Sequence, residues 1–394
     1  MINKKSNIAV FSLAFSPFEG GAEVAIREIA VRLPDFNFFI FTYKFNKNWL
    51  SKERRDNMEI IRLGRGRSGE RYYGRIWNKI FYIFNAWQEA ERAHKETRIE
   101  MIWAVMASYG AIAALLFKFN HPSIPFLLTI QEGDSEGHLN FGRLGLVGFF
   151  GRLAMRNADY IQVISAFLRD FVRKRGVACP VEVIPNGVDL DIFGARYTLS
   201  EIKAIRSNLG VKDEYVVITT SRLVYKNGID VLIEAIAEFK KRRPNIKCLI
   251  IGDGPEYKKL KAKSEKLKVD GNVLFLGQVL HKDLPLYLKI SDVFVRPSRS
   301  EGLGNSFLEA MAAGVPVVGT PVGGIIDFLR DEETGLYMAV DDYRDLSDKI
   351  SRVIGDPDLR KKVVCNASAL VKENYSWDRV SKLFRNIFNK LINE

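Results

Sequence analysis

Short apolar runs alternate with helix-length amphipathic segments along the chain, and this alternation limits the fold more than any other sequence feature. In the first half the runs lie at residues 7–15, 36–43, 101–106, 125–130, 160–165 and 181–185. In the second half they lie at residues 215–221, 247–252, 272–277, 292–297, 316–320 and 335–338. Apolar strands separated by helices are typical of parallel sheets covered on both faces, so the sequence predicts an α/β fold with doubly wound sheets.

Two such series predict two domains, as a chain of 394 residues also favours. A turn signal, Pro185-Asn186-Gly187, separates the two series. We therefore predict an N-terminal domain at residues 1–186 and a second domain that begins at residue 187.

The formal net charge is +12, and residues 1–186 hold 26 Lys and Arg against 18 Asp and Glu. Such an excess attracts nucleic acid, anionic lipid or a phosphorylated substrate. Cys179, Cys248 and Cys365 are widely spaced and predict no disulfide framework. Because no apolar stretch reaches the roughly 18 residues that span a bilayer, and the first apolar run lacks a signal-peptide cleavage site, we expect a cytoplasmic protein.

Ligands of open parallel sheets bind where loops leave the carboxyl ends of strands. The segment EGLGNSFLE follows the strand predicted at 292–297 and places Glu301 in a glycine-rich loop and Glu309 in the next helix. Glu301 has no structural partner that the sequence reveals, and its carboxylate suits sugar hydroxyls. Ser306 and Glu309 also match the S-x-x-E capping box, so Glu309 has a structural interpretation as a helix cap.

A pair of cations, Arg222 and Lys226, lies in the loop after the strand predicted at 215–221. Arginine offers a planar fork and lysine a compact charge, so the pair can hold a pyrophosphate without a metal. The structural alternative is two solvated loop cations.

Glycine turns follow three other strands, at Gly20-Gly21, at Gly254 and at Gly277-Gln278. Small residues there allow a phosphate, an acceptor or a base edge to approach the backbone closely. Each of them also fits an ordinary tight turn.

Metal binding is not predicted. Asp189 and Asp191 match a D-x-D pattern but fall in the turn between the predicted domains. The four histidines, His94, His121, His138 and His281, show no ligand spacing.

Basic and aromatic residues are interleaved at 62–87 and 141–156. Such segments lie on anionic membranes, whereas the alternative is a helix that packs one apolar stripe on the sheet. Because residues 62–87 are apolar over more than one stripe, we predict peripheral attachment to the inner face of a membrane.

Together these motifs resemble the GT-B glycosyltransferases of family 4, a retaining group. The resemblance runs from GGAE through VIPNGVD, SRLVYKNGIDVLIEA, GDGP and EGLGNSFLEAMAAGVPVV to YSWDRVSKLF. It implies two Rossmann-like domains that face each other across a cleft. Residues 1–186 would bind the acceptor and residues 187–376 the nucleotide sugar, while a helix at about 377–394 would return to the first domain.

The resemblance also implies roles for the matching residues. Arg222 and Lys226 would neutralise the leaving diphosphate, and Glu309 would bind ribose. The donor sugar would be held by Glu301 and the backbone of Gly302, Leu303, Gly304 and Asn305. The nucleotide would also contact Gly254, Gly277, Gln278 and Val279. The phosphate and acceptor would approach Gly20 and Gly21.

One position departs from the family pattern. Where the family often has histidine in a T-x-H sequence, this chain has Gln131, followed by Glu132. Glutamine forms hydrogen bonds but does not titrate, so it is no general base. This fits a front-face retaining mechanism, in which a leaving phosphate oxygen takes the acceptor proton and the protein supplies positioning and charge. We place Gln131 and Glu132 on the acceptor side.

The sequence thus predicts a metal-independent, cofactor-free hexosyltransferase that uses a UDP- or GDP-hexose and a glycan or lipid-linked acceptor. Two alternatives are a GT-B nucleotide-sugar epimerase or phosphorylase, and a non-catalytic module that binds membranes or nucleic acid. The presence of both glutamates, Glu301 and Glu309, together with Arg222 and Lys226 argues against an epimerase or phosphorylase. The high acidic count and the lack of an aromatic RNA-binding signature argue against nucleic acid.

Overall fold

The computed structural model describes residues 5–17, 20–66, 76–131 and 146–394. The chain forms two compact units, one of Met1–Asn186 with Trp377–Glu394 and the other of Gly187–Ser376. Each unit is built around a largely or wholly parallel sheet with helices in its connections, which confirms the predicted α/β fold class.

The first unit has eight strands among its described residues: β1 (Ser6–Phe11), β2 (Phe36–Tyr43), β3 (Lys52–Arg55), β4 (Met58–Leu63), β5 (Met101–Val105), β6 (Phe126–Ile130), β7 (Tyr160–Val163) and β8 (Val181–Val183). Their order in the sheet is β3-β4-β2-β1-β5-β6-β7-β8. The helices are α1 (Gly21–Arg32), α2 (Ile76–Thr97), α3 (Tyr109–Asn120), α4 (Leu146–Asn157) and α5 (Ala166–Arg173).

Sequence patterns missed two of these strands. β3, with the sequence KERR, pairs antiparallel with β4 at the edge of an otherwise parallel sheet. Its charged side chains are poor strand formers but discourage pairing with another chain, which is a common use of charge at a sheet edge. β4 is paired on both sides and buries most of its side chains, yet its mixed sequence MEIIRL lacks a continuous apolar run.

The second unit contains β9 (Tyr215–Thr220), β10 (Ile246–Ile251), β11 (Val273–Gly277), β12 (Val293–Arg296), β13 (Val317–Gly319) and β14 (Leu336–Tyr337). Its helices are α6 (Leu190–Phe193), α7 (Leu199–Asn208), α8 (Ile229–Arg242), α9 (Tyr257–Lys266), α10 (Leu284–Lys289), α11 (Asn305–Ala312), α12 (Tyr343–Gly355) and α13 (Pro357–Asn374). The final helix, α14 (Trp377–Asn393), belongs to the first unit, where Phe384 and Phe388 pack on Trp103 with ring centroids 5.4 and 5.5 Å away.

Strand order in the second sheet is β11-β10-β9-β12-β13-β14, all parallel. Numbered from β9, this is the order 3-2-1-4-5-6 of doubly wound folds, whose direction of winding reverses between the first and fourth strands. Ligands of such sheets bind beyond the carboxyl ends of those two strands. We therefore expect the ligand-binding site of this unit at the loops after β9 and β12. Among the helices described, none is long and apolar enough to cross a membrane.

Candidate functional site

The loop after β9, which carries Arg222 and Lys226, is joined to the loop after β12. The amide of Arg299 donates to the carbonyl of Lys226 at 2.7 Å. Gly228, which ends the first loop, has φ 68°, and a Cβ there would lie 1.9 Å from the carbonyl oxygen of Pro297. Only glycine permits this approach, so the backbone brings both loops together at the point where the sheet reverses its winding.

A partly buried arginine, Arg299, connects the same two loops. The guanidinium of Arg299 donates to both oxygens of Asp230, at 2.9 Å each, and to the carbonyl of Tyr225 at 2.7 Å. Burial by itself would raise the pKa of Asp230, but the hydrogen bonds and charge of Arg299 outweigh it and hold that pKa below its usual value. Asp230 therefore stays ionised and keeps the loops fixed.

Glu301 lies at this junction and is only 9% exposed. Its Oε1 accepts from the amide of Gly302 at 3.2 Å, and its Oε2 lies 2.6 Å from Nη2 of Arg296. The expectation that Glu301 lacks a structural partner is therefore wrong. The sequence concealed the partner because Arg296 ends a buried strand, where a charged side chain breaks the apolar pattern.

Glu309 does not form the capping box that its spacing from Ser306 predicted. The residue that caps α11 is Gly304 (φ 97°), and no side chain caps the helix, so the capping-box interpretation of Ser306 and Glu309 is wrong. α11 begins one residue before Ser306, which shifts Glu309 into the second turn. Glu309 Oε1 instead lies 3.0 Å from Nε2 of His281, a residue that sequence spacing had discounted.

The other residues predicted for the second unit lie at the same edge of its sheet. Gly254 follows β10, and a Cβ there would lie 2.3 Å from the carbonyl oxygen of Leu223, so the backbone packs directly on the Arg222 loop. Gly277 ends β11 and is followed by exposed Gln278 and half-buried Val279. Gly302 and Leu303 are buried in the loop before α11. Four neighbouring strands thus deliver all these residues to one edge.

In the first unit, Gly20 caps α1 and Gly21 begins it, directly after the β1 loop. Gln131 follows β6, two strands away, and its Oε1 accepts from Nδ2 of Asn186 at 3.0 Å. Glu132 lies outside the described residues.

Sequence patterns also did not single out Glu23, which is buried in the first turn of α1. Burial raises the pKa of Glu23 to about 7, although two backbone hydrogen bonds act to lower it.

Asp189 of the D-x-D pattern has a structural role in the second unit. Its side chain accepts from the amides of Asp191 and Ile192, both at 3.0 Å, and so caps α6. Across the described ranges, no group of three or more His, Cys, Asp or Glu side chains is placed to hold a metal ion.

Fold and geometry together define a doubly wound unit with two cations and two glutamates gathered at its switch point, a site suited to a phosphorylated ligand rich in hydroxyls. Two family models match the chain. Glycosyl transferases group 1 matches residues 201–369, and Glycosyltransferase Family 4 matches residues 19–192.

Curated relatives carry related names. An uncharacterized glycosyltransferase of Methanocaldococcus jannaschii is 35% identical over 209 residues, 53% of each chain. The GDP-mannose-dependent alpha-(1-6)-phosphatidylinositol monomannoside mannosyltransferase of Mycolicibacterium smegmatis is 30% identical over 56% of this chain and 59% of its own. The alpha-monoglucosyldiacylglycerol synthase of Streptococcus pneumoniae is 28% identical over 79% of this chain and 70% of its own. The chain thus spans little more than half the length of the first two relatives.

Solved structures share the fold over nearly the whole chain. Sucrose-phosphate synthase from Thermosynechococcus elongatus superposes with a TM-score of 0.83 at 22% identity, covering 99% of this chain and all of the other. HepE of Anabaena in complex with UDP-glucose superposes with a TM-score of 0.77 at 20% identity, covering 98% and 99%. The chain belongs to the GT-B glycosyltransferases of family 4, which confirms the resemblance seen in the sequence.

Proposed function

We propose that this glycosyltransferase transfers a hexose, with retention of anomeric configuration and without a metal, from a UDP- or GDP-sugar bound to the second unit. The observation that carries the proposal is the joining of the Arg222–Lys226 loop to the Glu301 loop at the switch point. In this proposal Arg222 and Lys226 bind the diphosphate, while Glu301 and Glu309, which come after the neighbouring strand β12, bind the sugar and the ribose. The relative named as GDP-mannose-dependent and the neighbour bound to UDP-glucose support both nucleotide types.

The chemical step needs little from the protein beyond position and charge. The bond between the anomeric carbon and the β-phosphate oxygen breaks, and a bond to the acceptor oxygen forms on the same face. The acceptor proton passes to the departing phosphate oxygen, so no protein base is required. Arg222 and Lys226 stabilise the charge that develops on the diphosphate, and Glu301 with the Gly302–Asn305 backbone holds the sugar in place. Glu309 holds the ribose, Gly277–Val279 lie against the base, and Gly254 also contacts the nucleotide.

The acceptor is a glycan or a lipid-linked molecule, which we assign to Gly20, Gly21 and Gln131 of the first unit. Two relatives are named for phosphatidylinositol mannoside and glucosyldiacylglycerol, both lipids. The first unit also carries an exposed aromatic stripe on α2, formed by Trp77 (66% exposed), Phe81 (64%) and Phe84 (51%). These residues share one helix face, while Tyr82 and Ala86 are buried on the other, where the Tyr82 hydroxyl donates to the carbonyl of Phe41 on β2.

We assign the aromatic stripe to the surface of an anionic membrane, because aromatic side chains suit the headgroup region and residues 1–186 are strongly basic. Attachment on the cytoplasmic side would bring the enzyme to a lipid-linked acceptor.

The donor assignment is tested by incubating the purified protein with UDP- and GDP-hexoses and measuring the release of UDP or GDP. We expect slow hydrolysis of one donor in the absence of acceptor and faster release when an acceptor is present. The failure of every UDP- and GDP-hexose to release its nucleotide, with and without candidate lipid acceptors, would contradict the proposal.

A further inference from the structure

Arg296 is the last residue of β12, and the role that we infer for it rests on the proposed function. Arg296 is largely buried, with a side chain that is 12% exposed. It points a permanent charge into the interior at the end of an otherwise apolar strand. A buried arginine is unfavourable unless its charge and its N–H donors find partners.

Its guanidinium reaches the three segments that form the donor site. Nη1 donates to the hydroxyl of Ser306 in the first turn of α11 at 2.8 Å. Nη2 donates to Oδ1 of Asn227 at 3.2 Å and lies 2.6 Å from Oε2 of Glu301. Asn227 in turn donates to the carbonyl of Arg222 at 2.7 Å.

Two contacts fix the orientation of the Glu301 carboxylate. Arg296 lies against Oε2, and the amide of Gly302 donates to Oε1. The contact with Arg296 is a charge contact rather than an aligned hydrogen bond, since Oε2 has no hydrogen-bond partner of good geometry and neither has Nε of Arg296. Both atoms are buried from solvent, so the protein rather than water sets the orientation of the carboxylate.

We propose that Arg296 is a positioning residue for sugar transfer: it fixes the carboxylate of Glu301 against the donor sugar and, through Asn227, ties that carboxylate to the Arg222 loop. Arg296 does not itself contact the sugar or the diphosphate. Its effect therefore falls on turnover more than on affinity for the nucleotide.

The test compares Arg296→Lys and Arg296→Leu with Arg206→Lys. Arg206 is a matched control, since its guanidinium also bridges three acceptors in this unit, the carbonyls of Lys212, Glu214 and Ile290 next to the amino ends of β9 and β12. Lysine keeps the charge at position 296 but loses the planar fork that serves three partners, so Arg296→Lys remains informative if Arg296→Leu fails to fold.

We expect kcat to fall about tenfold or more in Arg296→Lys, as for the loss of a charge-assisted contact, while the Kd for UDP or GDP changes less than about threefold. The Arg206→Lys control should retain both values. In a double-mutant cycle, Arg296→Lys should add little to the loss of kcat caused by Glu301→Gln, because both changes disrupt the same contact between Arg296 and the Glu301 carboxylate.

Wild-type kcat in Arg296→Lys, equal losses in kcat and nucleotide affinity, or additive losses in the cycle would each overturn the inference while leaving the proposed function standing. A wild-type protein that turns over no UDP- or GDP-hexose would overturn both, because Arg296 would then have no sugar-transfer step to assist.

Discussion

Nε2 of His281 lies 3.0 Å from Oε1 of Glu309, and the imidazole ring packs edge-on against Phe193 at a centroid distance of 5.1 Å. The histidine lies in the turn after β11 and the glutamate lies on α11. Their hydrogen bond therefore joins the turn that we assign to the nucleotide base to the helix whose glutamate we assign to the ribose. Each glutamate of the EGLGNSFLE segment is thus held by a nitrogen-bearing side chain, Glu301 by Arg296 and Glu309 by His281.

Removing the imidazole should weaken nucleotide binding through Glu309. We expect His281→Ala to raise the Kd for UDP or GDP about threefold to tenfold, and Glu309→Ala to raise it about tenfold or more, since a hydrogen bond to a charged group is lost. Isothermal titration measures both values. Unchanged nucleotide affinity in Glu309→Ala would show that Glu309 does not bind the ribose.

Glu301 should behave differently from Glu309. We expect Glu301→Ala to lose most sugar transfer, at least about tenfold in kcat, while largely keeping nucleotide affinity, because its carboxylate faces the sugar. The measurements are turnover and UDP or GDP titration on the same preparation. Parallel losses of turnover, nucleotide affinity and melting temperature would mean that Glu301 serves mainly to balance the charge of Arg296.

Sequence patterns identified the strands that position the site because a fully buried parallel strand must be apolar along its length. The same patterns concealed side-chain pairings, since the partners of Glu301 and Glu309 lie on separate elements and meet only in the folded sheet. The capping box failed for a local reason: Gly304 adopts a left-handed φ of 97° and starts the helix two residues earlier than the serine pattern predicts.

Stability should depend on pH through Glu23. Its folded pKa of about 7 exceeds the ordinary value of 4.5, so the folded state holds the proton more tightly than the unfolded chain. The stabilisation is full below about pH 4.5 and is lost as pH rises through 7, amounting to about 3 kcal/mol by pH 8.

The measurement for Glu23 is the denaturant midpoint between pH 5 and pH 8. Glu23→Gln should abolish most of this pH-dependent loss, whereas Glu96→Gln, an exposed glutamate on α2, should retain it. Parallel pH curves for wild type and Glu23→Gln would show that Glu23 is ionised in the folded protein.

Membrane attachment should depend on the aromatic stripe. Replacing Trp77 and Phe81 by alanine should reduce co-flotation with anionic liposomes about tenfold or more, because two exposed aromatic side chains lose their contact with the headgroup region. Phe119→Ala on α3, another exposed aromatic in the same unit, serves as the control. Binding should also weaken with salt. Undiminished flotation of the double variant would exclude the stripe as the attachment surface.

The most direct test of the donor site compares the binding of UDP and GDP with that of UMP and GMP by isothermal titration. We predict that the diphosphate form of one base binds at least about tenfold more tightly than its monophosphate, through Arg222 and Lys226. In the Arg222→Ala/Lys226→Ala double variant that preference should disappear. Equal binding of monophosphate and diphosphate by the wild-type protein, or no binding of either base, would contradict the assignment of the β9 and β12 loops as the site of the sugar donor.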